Sequence, residues 1–235
     1  MNKKIILVVG MSYGIGYAVT ERLLEMGYFV IGLARQKASI INNENFQYIQ
    51  CDITSEEECK NFKTLLYKRV EHLDGLINVA GICKSGDLES LSPKEFEKNF
   101  EVNVFGTYRI CKITYDLLHK SEGTIINISS DMSTIVVKKK VGYSASKAAL
   151  NELSKCIALS FPELKVHTVL PGITKTELFY KKMIEKKTNE NSYMKDVYPL
   201  QRLGNVVDIV NSIIFLLDNV NTSGIPIFVN GGAQL

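Results

Sequence analysis

Residues 8–19 read VVGMSYGIGYAV. A run of apolar residues, IILVV, leads into this stretch and an amphipathic run leads out, so the glycines at 10, 14 and 16 fall at a strand-to-helix turn. Glycine is the residue of choice where a chain turns tightly or where its backbone must come close to another group. Gly10 permits a sharp exit from the strand. Gly14 and Gly16 let backbone amides approach a phosphate at the helix N-terminus, where the aligned peptide dipoles favour negative charge. Glycine spacing alone is weak evidence, because many turns use glycine; the flanking strand and helix are what point to a dinucleotide site.

Outward from this turn the alternation continues. Strands are expected at Lys4–Val9, Phe29–Ala34, Phe46–Gln50, Gly75–Val79, Thr124–Ser129, Val166–Leu170 and Pro226–Val229. Helices are expected at Gly14–Met26, Ser55–Glu71, Pro93–His119, Tyr143–Ser160 and Val206–Asp218. Strands alternating with helices predict βαβ units, hence a parallel sheet with helices on both faces. IILVV is apolar at every position, as a strand covered on both faces requires. Residues 174–203, which include KKMIEKKTNENSYMK (181–195), are long and polar for a connection. They read either as a lid over a site or as a solvated helix with its charges outward.

The 235 residues are 46% hydrophobic and 23% charged, which fits one α/β domain of a soluble globular protein. A net charge of +3 is too small to argue for nucleic-acid binding. No stretch reaches the roughly 18 apolar residues of a membrane span. The first apolar run, about six residues long, enters the glycine turn instead of forming a signal-peptide core. The five cysteines (51, 59, 83, 111 and 156) are odd in number and widely spaced with no CxxC, so neither a zinc site nor a disulfide framework is indicated. Reduced thiols in a cytoplasm are the expectation.

The second strand ends VIGLARQ, residues 30–36. Dinucleotide folds that bind NAD place an acid near this point, to hold the ribose hydroxyls. Here Ala34 is followed by Arg35, whose guanidinium would grip a 2′-phosphate that a carboxylate would repel. NADP(H) is therefore favoured over NAD(H), by about tenfold to a hundredfold for one charge-assisted bond. A surface arginine at a strand end is the plain alternative.

In GYSASKAAL (142–150), Tyr143 stands four residues before Lys147, on the same helix face. A free phenol, with a pKa near 10, is a poor base at neutral pH. A neighbouring ammonium lowers that value and makes tyrosine a credible general acid/base. A Tyr-x3-Lys pair on its own is common on solvated helices.

In the order GMSYGIG (10–16), CDI (51–53), NVAG (78–81), VNVFG (102–106), NISS (127–130), YSASK (143–147), PGITKT (171–176) and NGG (230–232), the chain resembles the short-chain dehydrogenase/reductase family over essentially its whole length. The resemblance implies a Rossmann-type doubly wound sheet of about seven strands, order 3-2-1-4-5-6-7, forming one NAD(P)-binding domain over residues 1–235. It implies that Tyr143 donates or accepts the proton and that Lys147 lowers its pKa and binds the nicotinamide ribose. Ser130, thirteen residues before Tyr143, would steady the substrate oxygen in preference to Ser129. Asn103 would sit at a helix irregularity and hold a proton-relaying water. Cofactor contacts are implied for Gly10, Ser12, Tyr13, Gly14, Ile15 and Gly16, for Asp52 and Ile53 about the adenine, and for Asn78, Ala80 and Gly81 beneath the ribose and phosphates. Pro171, Gly172, Ile173 and Thr174 would lie by the nicotinamide, with Thr176 near the pyrophosphate. Val9 and Val79 stand where the family often has Thr and Asn, which removes side-chain hydrogen bonds that tie turn to strand.

The reaction implied is hydride transfer between nicotinamide and a carbonyl or secondary alcohol. A narrower alternative is a 3-oxoacyl-carrier-protein reductase; one from another class is a nucleotide-sensing binding protein without turnover. Three lysines, 138–140, lie between Ser130 and Tyr143 and would attract an anionic or carrier-linked substrate, although a solvated loop explains them too. By resemblance, a homodimer or homotetramer is expected.

Overall fold

The computed structural model describes residues 3–36, 42–185, 198–218 and 221–233. Its strands are β1 (Ile5–Val9), β2 (Phe29–Ala34), β3 (Phe46–Gln50), β4 (Gly75–Asn78), β5 (Thr124–Ile128), β6 (Lys165–Pro171), β7 (Thr174–Lys175), β8 (Gly204–Asn205) and β9 (Pro226–Val229). Seven of them form one parallel sheet in the order β3-β2-β1-β4-β5-β6-β9. This is the expected 3-2-1-4-5-6-7 arrangement; the seventh sheet strand is β9 because the short β7 and β8 pair with each other apart from the sheet.

The helices are α1 (Gly14–Glu25), α2 (Glu56–Arg69), α3 (Pro93–Phe100), α4 (Thr107–His119), α5 (Val141–Ser160), α6 (Glu177–Glu185) and α7 (Val206–Asp218). Ser55 is the cap of α2, not its first residue: its side chain accepts from the Glu58 N–H at 3.2 Å. Ser92 and Glu95 close a capping box on α3, with Pro93 in the first turn. The single helix expected over Pro93–His119 is interrupted by a π-helical turn at Glu101–Gly106. Likewise, α5 begins at Val141, two residues before the predicted start. No described helix is long and apolar enough to cross a membrane.

Alternating residues of β1 explain why the strand is apolar throughout. Leu7 and Val9 pack into a cluster with Phe62 and Leu66 of α2 and Ile110 and Leu117 of α4. Ile6 and Val8 pack on the other face with Val19 and Leu23 of α1 and Ile209 and Ile213 of α7. The replacement of Thr and Asn by Val9 and Val79 does not leave the turn untied. The Val9 carbonyl accepts from the N–H groups of Val79 (2.9 Å) and Ala80 (3.0 Å), and the Gly10 N–H donates to Leu33 O at 2.7 Å.

Gly16 is required for contact more than for conformation. A Cβ there would lie 2.1 Å from the Gly10 carbonyl oxygen, backbone that cannot move without moving β1. Gly16→Ala is expected to cost about 3 kcal/mol, near the top of the usual range for overpacking. That corresponds to a melting midpoint lower by about 6–12 °C in a chain of this size, read by thermal denaturation. A midpoint within about 2 °C of wild type would show that the turn relaxes.

Candidate active site

The carboxyl ends of β1, β2, β4, β5 and β6 open into one cleft of about 670 Å³, within the range of a cofactor-sized site. One end is built from the first turn. Gly10, Ser12, Tyr13, Gly14 and Ile15 line it. No side chain caps the N-terminus of α1, in contrast to α2 and α3, so its first N–H groups are left for another acceptor. A Cβ on Gly10 (φ +88°) would meet the Ala80 nitrogen at 2.6 Å, whereas a Cβ on Gly14 would meet only Thr176, 3.8 Å away. The cradle is therefore tight behind and open in front.

Arg35, Asp52 and Ile53 line the adjoining wall. Ser12 Oγ donates to the Gln36 carbonyl at 2.7 Å and so joins the turn to the end of β2. Burial raises the Asp52 pKa, but hydrogen bonds from Thr54 N–H and Oγ, with help from the Arg35 charge, hold it below the ordinary value. Ala34, buried and short, leaves Arg35 as the charged group at the strand end.

The other end gathers Ser130 at the end of β5, Tyr143 and Lys147 from α5, Pro171 at the end of β6 and Gly172 and Thr174 after it, with Thr176 reaching back to Gly14. Lys147 is buried; its Nζ lies 5.9 Å from the Tyr143 ring centroid and donates to the Ile128 carbonyl at 2.8 Å. Burial holds the Lys147 amine down to about 8. Burial likewise pushes the Tyr143 phenol above its ordinary 10.0, opposed by a hydrogen bond with Ser130. Desolvation is the largest influence on the Tyr143 phenol here, and the Lys147 ammonium is directed at a backbone carbonyl.

Several predicted site residues stand behind the cleft and do not line it. Gly16 packs on Gly10. Asn78 Nδ2 donates to Asn127 Oδ1 at 2.8 Å, and Asn127 Nδ2 to Ser154 Oγ at 2.9 Å, a buried chain linking β4, β5 and α5. Asn103 lies in the π-helical turn, as the expected irregularity requires. Its side chain donates to Ile82 O (3.0 Å) and Ser146 Oγ (2.9 Å) and accepts from Ile82 N (2.8 Å), so it joins the turn to α5 beside Lys147. The Ile173 N–H donates to the Tyr198 hydroxyl at 3.0 Å. Ser129 Oγ, set aside in favour of Ser130, donates to the Lys147 carbonyl at 3.2 Å. Of the stretch 174–203, residues 186–197 lie outside the described residues.

Sequence reasoning missed Cys83, which lines the cleft, and Asp131, buried directly after Ser130. Ser130 Oγ donates to Asp131 Oδ1 at 3.3 Å, and burial raises the carboxyl to about 6. The signal for Cys83 was its place just after NVAG at a strand's carboxyl end. Asp131 carried no signal, since spacing does not reveal burial. No group of three His, Cys, Asp or Glu among the described residues could hold a metal ion.

A family model described as short chain dehydrogenase matches residues 4–187. Relatives include L-fucose dehydrogenase of Mus musculus, 29% identical over 99% of this chain and 89% of that protein. They also include 3-oxoacyl-[acyl-carrier-protein] reductase of Homo sapiens, 26% identical over 99% and 98%. Among solved structures, ElxO with NADP bound superposes with a TM-score of 0.92 at 30% identity, covering 99% of each chain. 4-Hydroxyisoleucine dehydrogenase complexed with NADH does so with a TM-score of 0.90 at 28% identity, again over 99% of each chain.

Proposed function

This chain belongs to the short-chain dehydrogenase family of NAD(P)-dependent oxidoreductases, and we propose that it reduces a carbonyl compound to an alcohol with NADPH in preference to NADH. The observation that carries this reading is the single cleft that joins Arg35 and the uncapped turn of α1 at one end to Ser130, Tyr143 and Lys147 at the other. The donor set fits a nicotinamide dinucleotide: amides, Arg35 and Thr176 for phosphates, Asp52 and Ile53 beside a planar base, Thr174 near the reacting end. When bound, that cofactor supplies the hydride.

The chain's own residues handle everything else. Tyr143, protonated at neutral pH, gives its proton to the carbonyl oxygen. Ser130 hydrogen-bonds the same oxygen and steadies the alkoxide as it forms. Lys147, fixed by the Ile128 carbonyl, holds a positive charge beside the phenol and is within reach of a ribose. Asn103 positions α5 through Ser146. Within the stretch 174–203, α6 begins one residue after Thr176 and so starts beside the cleft.

Relatives bearing the names of sugar, acyl-carrier and amino-acid enzymes support the oxidoreductase class without choosing a substrate. The ElxO complex with NADP and the 4-hydroxyisoleucine dehydrogenase complex with NADH both support a nicotinamide cofactor, and the preference rests on Arg35. Fluorescence titration tests the preference. Arg35→Ala is expected to weaken NADPH binding by about 10- to 100-fold while NADH binding changes little. Equal losses for both nucleotides would remove Arg35 from the 2′-phosphate. Following the absorbance of NADPH over a panel of aldehydes, ketones and oxo acids tests the reaction. Tight NADPH binding with no turnover across the panel would mark a nucleotide-sensing protein instead.

A further inference from the structure

We propose that Lys140 binds an anionic group of the substrate, a carboxylate or a phosphate monoester, so that the natural substrate is a carbonyl compound bearing a negative charge. The inference rests on the oxidoreductase reading above and specifies its substrate class.

Three lysines occur in a row at 138–140, but the fold separates them. Lys138 and Lys139 are exposed, whereas Lys140 is half-buried at the start of α5. Its backbone is pinned to the segment that follows β4: Gly86 and Lys140 form a parallel bridge, and the Gly86 N–H donates to the Lys139 carbonyl at 2.8 Å. The side chain turns toward that segment. Nζ donates to Ser85 Oγ at 2.6 Å and to Cys83 Sγ at 3.2 Å. Cys83 lines the cleft, and its sulfur is near enough to Tyr143 and Lys147 to act on the ionisation of both. Lys140 itself does not line the cleft; it reaches it through Cys83, which does.

The charge of Lys140 is unanswered. Among the described residues no carboxylate lies within 4 Å of its Nζ, whereas Lys4 and Lys155 each have one. The Asp87 carboxylate takes two bonds from Ser90 on Oδ1 and interacts with Lys139, not with Lys140. An ammonium has three protons to donate; two go to a hydroxyl and a thiol, neutral acceptors that fix its position without neutralising it. A half-buried cation loses hydration and normally recovers it from a counter-charge. Here the place for that counter-charge is the substrate end of the cleft.

The test compares matched substrates. Pyruvate, acetoacetate and levulinate are each assayed against their methyl esters, and the acetoacetyl thioester of phosphopantetheine against that of pantetheine, with NADPH. The readout is the ratio of kcat/KM for the charged member to that for the neutral member. In the wild type this ratio is expected to reach about 10–100 for at least one pair, the range of one charge-assisted hydrogen bond. Lys140→Met should bring it to about one through a raised KM, and Lys140→Arg should restore part of it. Lys138→Met and Lys139→Met should leave it unchanged. A preference confined to an oxo acid identifies a free carboxylate as the anion, and one confined to the phosphopantetheine thioester identifies a carrier-type phosphate. Ratios near one in the wild type, or a ratio that survives Lys140→Met, would overturn the proposal. If no compound turns over, calorimetric titration of the NADP⁺ complex with the same anions decides separately. Binding that disappears in Lys140→Met keeps the anion site while the oxidoreductase reading fails; no binding overturns the site.

Discussion

Tyr143→Phe will lower the rate of carbonyl reduction by about 10²- to 10⁴-fold, the usual worth of a positioned general acid, while NADPH affinity stays within a few-fold. The substitution removes one oxygen. It leaves the ring in place beside Lys147 and leaves the Ile128 carbonyl as the ammonium's partner. Among the described residues, neither Ser130 nor Lys147 substitutes for the lost proton donor. Ser130 lies next to it and its hydroxyl, turned toward Asp131 here, can rotate to hydrogen-bond the substrate oxygen, but giving its proton up outright would only exchange one alkoxide for another. Lys147 holds a proton, yet its ammonium is directed at a carbonyl on β5. Steady-state kinetics with saturating NADPH, paired with a nucleotide titration, separates chemistry from binding. A variant that keeps a tenth or more of wild-type kcat would show that the proton comes from elsewhere.

The second large effect concerns stability between pH 4 and 6.5, where two buried groups act in opposite directions. His167 on β6 is fully buried, and neither ring nitrogen has a hydrogen-bond partner. Burial, reinforced by Lys165, depresses its pKa from 6.5 to about 4. The unfolded chain takes up the proton first as pH falls, so this residue removes about 3 kcal/mol of stability between pH 6.5 and pH 4. Asp131 behaves in the reverse sense. Burial raises its pKa from 3.8 to about 6, so the unfolded chain ionises first and about 3 kcal/mol is lost as pH rises over that interval. In the wild type the two slopes nearly cancel, and each single variant exposes the other. His167→Leu should lose stability as pH rises from 4 to 6, relative to wild type. Asp131→Asn should gain it, and should stay more stable than wild type above pH 6.5. Urea unfolding at half-unit pH steps reads both slopes; parallel curves for the three proteins would refute the assignment.

The central strand could be read from the run IILVV, because a strand covered on both faces must be apolar at every position, and the others from β-branched runs such as TIINI and KVHTVLP at regular spacing. The turn at Gly10 and the Tyr143–Lys147 pair were legible for a related reason: each depends on residues close in sequence. What escaped was tertiary in origin. The π-helical turn at Glu101–Gly106 has no periodicity signal, since six residues are too few to set one, and only the family resemblance points to an irregularity, at Asn103. The rise in the Tyr143 pKa comes from how deeply α5 is set against β5. Asn78 and Asn103 look like ligand-facing polar residues in sequence; the fold spends them on buried hydrogen bonds between elements. Lys140 differs from Lys138 and Lys139 only because the Gly86 bridge catches it.

The π-helical turn also sets the phase of everything after it. An α-helix advances about 100° per residue, and a π-turn carries the backbone through one residue more than an α-helix would use. Asn99 before the turn faces the 82–86 segment, where its Oδ1 accepts from the Lys84 N–H at 2.9 Å. Ile110, Cys111, Thr114 and Leu117 after it face the sheet. Both faces are satisfied at once only because the extra residue rotates one half of the rod against the other. Deleting a single residue from 101–106 would straighten the helix and swing α4 by about a quarter turn. Its apolar stripe would then miss β4 and β5, and the site would be lost through a change in angle that removes none of the groups lining the cleft.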